Sequence, residues 1–545
     1  MKNKFIYLAI IAAGFASCEP EFENGVDANY SSGDADFTSY VAIGNSLTAG
    51  YMDGTVSRVG QTYSYPNLLA QQFALVGGGA FTQPSYAEDV NNLGGIQGLT
   101  GTRLVIDASQ GRPENIVGTP TITLTPQARA YNNMGVPGAK SFHLLAPGYG
   151  NVAGVMLGQA NPYFVRHATT PTATVLGDAM TKNPTFFTNW IGANDVLAYA
   201  TSGGTMPDNP LTTTVDESQM AANDHNTTGN VNPATYGPND ITNSNAYASV
   251  YSNIINTLTN GGAKGVVCTI PSVTSIPYFT TVPYAPLTAQ SIGRGVAPAG
   301  SDTATQIAAG TAAINQLNTQ LYGPLDAIFT ALGEPNRMNP LSATAANPIL
   351  IFDVDAADRS AQITGALSGT LGVPTATAFG MIFGKARQAT ADDLVVLTAS
   401  SVIGSTNTAA PAAINKNGIS YPMANKWVLT ANEKAEVASA TNSYNASIRA
   451  IAATKNLAVA DMNTIMTQLV SGLRIETGQV YTANYFSGSA TEGLVLFSLD
   501  GVHPNARGYA VIANEIIKVI NHHYHANLPL HNHSYFPGIN IVGSN

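Results

Sequence analysis

Charged residues and long apolar runs are both scarce in this chain of 545 residues. Only 10% of the residues are charged, and the net charge of −10 argues against nucleic acid or bare anionic lipid as the main partner. Beyond the N-terminus, no apolar run is long enough to cross a membrane. The Gly-x-Ser-x-Gly turn, the Walker phosphate loop and the His-Glu-x-x-His zinc motif are also missing, which argues against three common classes of enzyme.

The N-terminus has the pattern of a secretory signal. Two lysines precede an apolar run, 5–15, and two small residues then lead to Cys18. This order resembles a bacterial lipobox, in which Cys18 becomes the lipid-carrying first residue of the mature protein. Residues 1–17 are then the signal peptide that is removed. An ordinary signal peptide with a chance cysteine is the alternative.

Residues 18–37 are predicted to form an acidic tether between the anchor and the folded domain. The segment is rich in Gly, Ser and Asn and has few large apolar residues, a composition that favours a solvated chain. The acidic residues after Cys18 resemble the surface-export signals of Bacteroidetes lipoproteins. The expected location is the cell envelope, as an outer-membrane lipoprotein, with exposure at the cell surface left open.

Cys268 is the only cysteine besides Cys18, so the mature chain is expected to have no internal disulfide. It lies in the apolar, β-rich run 265–270, which favours a buried and unreactive thiol. The fold must then rely on its hydrophobic core, which a chain of this length can bury.

Four short motifs, hundreds of residues apart, supply the parts that acyl transfer by a serine requires. They are Gly44-Asn45-Ser46-Leu47, Asn133-Met134-Gly135, Gly192-Ala193-Asn194-Asp195 and Asp500-Gly501-Val502-His503-Pro504. Together and in this order they resemble the SGNH hydrolases, the GDSL-like esterase/lipase family. The likeness of the first block continues through residue 51 and then over 61–72.

The resemblance implies a role for each block. Ser46 would be the nucleophile, His503 its general base, and Asp500 the carboxylate that accepts the imidazole Nδ1–H. The oxyanion donors would be the backbone N–H groups of Ser46 and Gly135 and the side-chain amide of Asn194. No metal and no organic cofactor is implied.

Each motif has a plainer interpretation when it stands alone. Ser46 could cap a helix, His503 could be a loop histidine without a role, and Asn194 could belong to a turn. The presence of all four blocks outweighs these alternatives. One position departs from the family pattern, because Asn45 stands where the family usually has aspartate. Asparagine keeps an acceptor oxygen but not the charge, so we expect tuning of activity rather than its loss.

Strand and helix patterns alternate along the chain, which predicts a parallel sheet with helices on both faces. Strand-like runs lie at 39–43, 185–191, 264–270 and 457–461, and helical spacing is found at 66–73, 247–258, 430–453 and 508–520. Thr430 and Glu433 form a predicted capping box. Because Ser46 and His503 must meet in one site, we predict a single α/β domain, 38–545, with the three-layer α/β/α, flavodoxin-like sheet that the resemblance implies.

Stretches without a clear period predict large insertions near 77–128, 202–245 and 278–421, the last of which mixes loops with some helical pattern around 305–332. We expect these insertions on the surface, where they would shape the substrate cleft. The C-terminal tail is rich in histidine but has no nearby cysteine or carboxylate, which favours a polar surface segment over a metal site. The histidines concerned are His522, His523, His525, His531 and His533.

The sequence therefore predicts a lipid-anchored serine esterase that acts on a small-molecule, glycan or lipid ester and contacts the membrane through its anchor. Lipase or acyltransferase activity at the same site stays open, as does a non-catalytic lipoprotein that binds glycans or lipids. The insertions are rich in Thr, Asn, Gly and Ala, which favours short acyl groups, acetate to butyrate, on a hydroxyl-rich alcohol. No oligomeric state is predicted.

Overall fold

The computed structural model describes residues 29–208, 220–486 and 494–543. Its strands, β1 to β14 in chain order, are Tyr40–Gly44, Leu104–Asp107, Arg112–Asn115, Asn133–Gly135, Phe186–Trp190, Lys264–Cys268, Leu350–Phe352, Ala386–Gln388, Leu394–Val395, Val428–Leu429, Ala458–Ala460, Leu473–Arg474, Val480–Tyr481 and Ile541–Val542. Its α-helices, α1 to α17, are Ser46–Ala49, Arg58–Thr62, Tyr65–Ala74, Pro162–His167, Val175–Met180, Asn194–Thr201, His225–Thr228, Ser244–Thr259, Pro277–Thr280, Ala289–Arg294, Thr303–Leu317, Gly323–Ala331, Ser360–Leu371, Val373–Phe383, Ala431–Thr454, Met462–Ser471 and Ala506–His523.

Five parallel strands form the central sheet, in the order β11-β6-β5-β1-β4. Strand β1 lies between β4 and β5, so that Gly44 at its end is opposite both Gly135 and Trp190. Because parallel strands share one carboxyl edge, the segments that follow these three strands meet there. Three of the four sequence motifs are therefore neighbours at one edge of the sheet.

Alternate residues of the strands face two different cores, as the period of two requires. In β1, Val41 and Ile43 belong to one core, whereas Tyr40 and Ala42 belong to the other. Helices α8 and α15 pack on the first face of the sheet and α3 and α17 on the second. The predicted α/β class, with a parallel sheet covered by helices on both faces, is confirmed.

Helix α15 shows how local sequence sets an element boundary. Thr430 caps its N-terminus, and the Glu433 carboxylate accepts the Thr430 N–H at 2.7 Å, so the predicted capping box is confirmed. The predicted strands of the sheet and the predicted helices on its two faces also form, and their ends differ from the predicted ends by a few residues. Strand β4 has only three residues, too few to show a period, and was not predicted as a strand.

The insertion at 278–421 is more ordered than a set of surface loops. It contains two closely packed helix pairs, α10 with α11 and α13 with α14. Its buried residues Phe329, Ile349 and Phe383 belong to the same core as Val41 of the sheet. This insertion therefore enlarges one side of the domain, which corrects the expectation of a purely superficial segment.

Part of the predicted tether is packed against the domain. Ser31 pairs with Asn527 near the C-terminus, and the buried ring of Phe37 stacks on Phe73 at 4.0 Å. The signal peptide, Cys18 and the tether as far as residue 28 lie outside the described residues. Within the described ranges, no helix has both the length and the apolar character needed to span a bilayer.

The remaining cysteine and the histidine-rich tail are both held by the domain. Cys268 is fully buried at the end of β6, and burial raises the pKa of its thiol, so the prediction of a buried thiol is confirmed. The tail crosses α17, where the His531 N–H donates to Asn514 Oδ1 at 2.7 Å, and His533 is buried beside Tyr481. These two histidines are packed rather than superficial. In the described part of the chain, no three His, Cys, Asp or Glu residues are grouped to hold a metal ion.

Candidate active site

The first and last sequence motifs meet at the carboxyl edge of the sheet. His503 Nε2 lies 2.9 Å from Ser46 Oγ, and His503 Nδ1 lies 2.9 Å from Asp500 Oδ2. The structure thus brings together three side chains from opposite ends of the chain. A hydroxyl, an imidazole and a carboxylate in this order can move a proton away from the hydroxyl oxygen.

Ser46 is held at the turn where β1 passes into α1. Asn45 caps this short helix, and its Oδ1 accepts the Leu47 N–H at 3.1 Å. Gly44 is required just before it, since a Cβ there would lie 2.6 Å from the carbonyl oxygen of Trp190. The turn therefore fixes the serine by backbone packing and by a side-chain cap.

The loop that carries His503 is wound around the Asp500 carboxylate. Oδ1 of Asp500 accepts the N–H groups of Val502 at 2.9 Å and of His503 at 2.8 Å. Oδ2 accepts the Gly54 N–H at 3.1 Å in addition to facing the imidazole. Gly501 completes the tight loop with a φ of 71°, a conformation that favours glycine.

These contacts set the charge of Asp500. Burial raises its pKa, but attraction to His503 and hydrogen bonds from His503 and Val502 outweigh that effect and lower the pKa to about 2. The carboxylate is therefore ionised at neutral pH and acts only as an acceptor. It can hold the imidazole orientation and stabilise a positive charge on it.

A second carboxylate residue, Asp53, forms hydrogen bonds with the same loop. Its Oδ1 accepts the Leu499 N–H at 3.0 Å, and its own N–H donates to Ser498 Oγ at 3.0 Å. Burial raises the pKa of Asp53 to about 6, and the nearby charge of Asp500 acts in the same direction. No local pattern in the sequence marks Asp53, because its contacts with the loop span more than 400 positions.

Tyr51 packs against the imidazole. The ring centroids of Tyr51 and His503 are 4.5 Å apart, and the Tyr509 hydroxyl donates to the Tyr51 carbonyl at 2.6 Å. The histidine is therefore held at its Nδ1 by a carboxylate and on its face by an aromatic ring. Both contacts limit its rotation.

Asn194 lies at the same edge of the sheet, at the start of α6. It follows Gly192, whose φ is 125°, and its side-chain amide donates to the Ala139 carbonyl at 2.9 Å. This bond uses one of its two amide protons. The other proton remains a donor that could face a developing oxyanion.

Gly135 has a different role from the one the motif implied. Its backbone N–H donates to Asn133 Oδ1 at 3.0 Å and so is not available to an oxyanion. A Cβ at this position would lie 2.3 Å from the Ala49 N atom, so the glycine lets α1 pack on β4. The assignment of Gly135 as an oxyanion donor is therefore corrected to a packing position.

The next glycine along the chain, Gly138, has the features that Gly135 lacks. It lies in the turn Val136–Ala139, which is closed by the Ala139 N–H donating to the Val136 carbonyl at 3.1 Å, and its φ is 78°. Gly138 is exposed, and in the described ranges its N–H has no hydrogen-bond partner. The same turn accepts the Asn194 amide through Ala139. The Pro-Gly pair at 137–138 was the sequence signal for this turn.

The site thus combines a serine, an oriented imidazole and an ionised carboxylate with free donors on the neighbouring strand ends. Such a group can attack an electrophilic carbonyl carbon and stabilise the oxyanion that results. No protein-family model matches this chain, and comparison with the curated proteins and with the solved structures gives no match either.

Proposed function

We propose that this protein is a carboxylic ester hydrolase of the SGNH, GDSL-like type, built on the three-layer α/β/α sheet of that family. The observation that carries the proposal is the chain of hydrogen bonds from Ser46 through His503 to Asp500. The four motifs around one edge of a parallel sheet support the same assignment.

The first half of the proposed reaction forms an acyl-enzyme. His503 Nε2 takes the hydroxyl proton of Ser46 as Oγ attacks the ester carbonyl carbon. The carbonyl electron pair moves to oxygen, and the oxyanion is bound by the N–H groups of Ser46 and Gly138 and by the Asn194 amide. When this electron pair re-forms the carbonyl double bond, the bond to the alcohol oxygen breaks, and the alcohol leaves with the proton held by His503.

The second half returns the enzyme to its starting state. A water molecule gives a proton to His503 as its oxygen attacks the acyl carbon. Collapse of the second oxyanion breaks the bond to Ser46 Oγ, which takes the proton back from His503, and the carboxylic acid leaves. In both halves the ionised Asp500 stabilises the imidazolium that forms beside it.

We further propose that the enzyme works from the cell envelope as an outer-membrane lipoprotein. Cys18 would carry the lipid. The residues between Cys18 and Ser31, where the chain pairs with the domain, would separate the domain from the bilayer. Recovery of Cys18→Ala in the membrane fraction, at the level of the unchanged protein, would contradict this proposal.

The test of the enzymatic proposal is ester hydrolysis by Ser46→Ala. Removing the nucleophile should lower kcat by about 10⁴-fold or more on p-nitrophenyl esters, with the thermal midpoint of unfolding nearly unchanged. Ser443→Ala, an exposed position on α15, is the matched control and should keep full activity. A folded Ser46→Ala variant that still hydrolyses esters at the normal rate would contradict the assignment.

A further inference from the structure

An apolar cleft lies beside the segments that carry Ser46 and His503. It encloses about 110 Å³, within about 650 Å³ of open space that includes its mouth. It is lined almost wholly by apolar side chains, among them Leu47, Trp190, Met462, Met466, Val502 and Ile512.

The cleft is continuous with the segments that carry the reacting groups. Leu47 directly follows Ser46 in α1, and Val502 and Pro504 flank His503 in the loop. Trp190 ends the strand β5, which is paired with β1 at Gly44. The cleft and the reacting groups thus share the same edge of the sheet and the same two segments.

The walls of the cleft suit a flexible hydrocarbon chain. Helices α16 and α17 face each other across it, and Met462 and Met466 on α16 provide unbranched side chains that adapt to the shape of a ligand. Among the described residues, no Asp, Glu, Lys, Arg or His side chain lines the cleft. A sugar or another hydroxyl-rich group would lose its hydrogen bonds to water there without replacing them.

We infer that this cleft binds the acyl chain of the substrate, a saturated chain longer than butyrate. The inference rests on the proposed function and specifies its substrate class. It differs from the short acyl groups that the composition of the insertions favoured. The reason is that every described residue that lines the cleft lies outside those insertions.

The first test is the dependence of kcat/KM on acyl length, measured with p-nitrophenyl esters from acetate to dodecanoate. Each buried methylene should raise kcat/KM by about fourfold, so octanoate should exceed acetate by roughly tenfold or more once two of its six additional methylenes are buried. Met466→Trp fills the cleft and should lower kcat/KM for octanoate at least to the level of acetate, while acetate hydrolysis stays within about twofold. Met156→Trp, at a position 84% exposed, is the matched control and should leave the profile unchanged.

The second test measures binding without any reaction. The chain has two tryptophans, Trp190 in the cleft and Trp427 elsewhere, so a decanoate with bromine on its terminal carbon should quench the fluorescence of Trp190. The quenching should disappear in Trp190→Phe and persist in Trp427→Phe. The indole N–H of Trp190 has no hydrogen-bond partner in the described part of the chain, so the phenylalanine loses no such bond.

The two tests separate the inference from the function on which it rests. Saturable quenching that depends on Trp190 supports the cleft assignment even if no ester is hydrolysed, a result that would contradict only the esterase proposal. Hydrolysis of acetate without any gain for longer chains, or quenching that survives Trp190→Phe, would overturn the cleft assignment and leave the esterase proposal standing.

Discussion

Asp500 and Asp53 are two largely buried carboxylates that contact one loop, and they differ in how tightly they bind a proton. The pKa of Asp500 is lowered to about 2, whereas that of Asp53 is raised to about 6. Both are desolvated. Asp500 accepts three backbone N–H groups and faces His503, while Asp53 accepts one backbone N–H and faces the charge of Asp500.

The number of donors and the sign of the nearest charge thus decide the pKa of each carboxylate. The contacts of Asp500 keep it negative beside an imidazole that becomes positive. Asp53 joins the segment after α1 to the histidine loop and keeps its proton below about pH 6. The first residue serves the proposed reaction and the second keeps the loop in place.

Replacing Asp500 should have the largest effect on catalysis. Asp500→Asn removes the negative charge and the acceptor for the imidazole Nδ1–H, so kcat should fall by about 10³–10⁴-fold at neutral pH. The measurement is ester hydrolysis, with Asp392→Asn, an exposed aspartate on the surface, as the control that should keep full activity. A loss below about tenfold in a folded Asp500→Asn variant would show that the charge is not needed.

Replacing Asp53 should affect the stability of the protein and its pH dependence more than catalysis. The folded protein binds the Asp53 proton more tightly than the unfolded chain, so the stability it contributes is present below about pH 4 and is lost as pH rises to about 6. Asp53→Asn stays neutral throughout and keeps an oxygen to accept the Leu499 N–H. Its free energy of unfolding, relative to the unchanged protein, should therefore rise by about 2–3 kcal/mol between pH 4 and pH 7.

Chemical denaturation of both proteins across this pH range checks the prediction. The pKa of Glu433 is also raised, to about 7. As pH rises, this lowers the free energy of unfolding of both proteins by the same amount, so the effect cancels in the difference between them. A difference that is flat with pH, or that has the opposite sign, would mean that Asp53 is ionised in the folded protein across the whole range. The contrast with Asp500 would then fail.

The sequence was most informative where function depends on residues close together in the chain. The spacing of Asp500 and His503 brings a carboxylate under an imidazole within one loop, and Ser46 follows a strand and a glycine at a turn. The capping box of α15 was equally local. These parts could be predicted because three or four residues determine their geometry.

Other parts of the site depend on contacts that no local pattern records. Gly135 ends strand β4 and Gly138 follows it closely, and only the bond from the Gly135 N–H to the Asn133 side chain shows which of the two N–H groups is already occupied. Asp53 reaches its partners across the length of the chain, and the apolar cleft is assembled from five separate segments. Packing in three dimensions decides each of these, so the sequence alone pointed to the wrong glycine and gave no sign of the cleft.

The most direct test of the central claim, a nucleophilic serine activated by the imidazole, is covalent labelling of the folded protein by a fluorophosphonate. Digestion and mass spectrometry should find one modified residue, Ser46, and the label should be absent from Ser46→Ala and strongly reduced in His503→Ala. Labelling at a different residue, or no labelling of the folded and unchanged protein, would contradict the account.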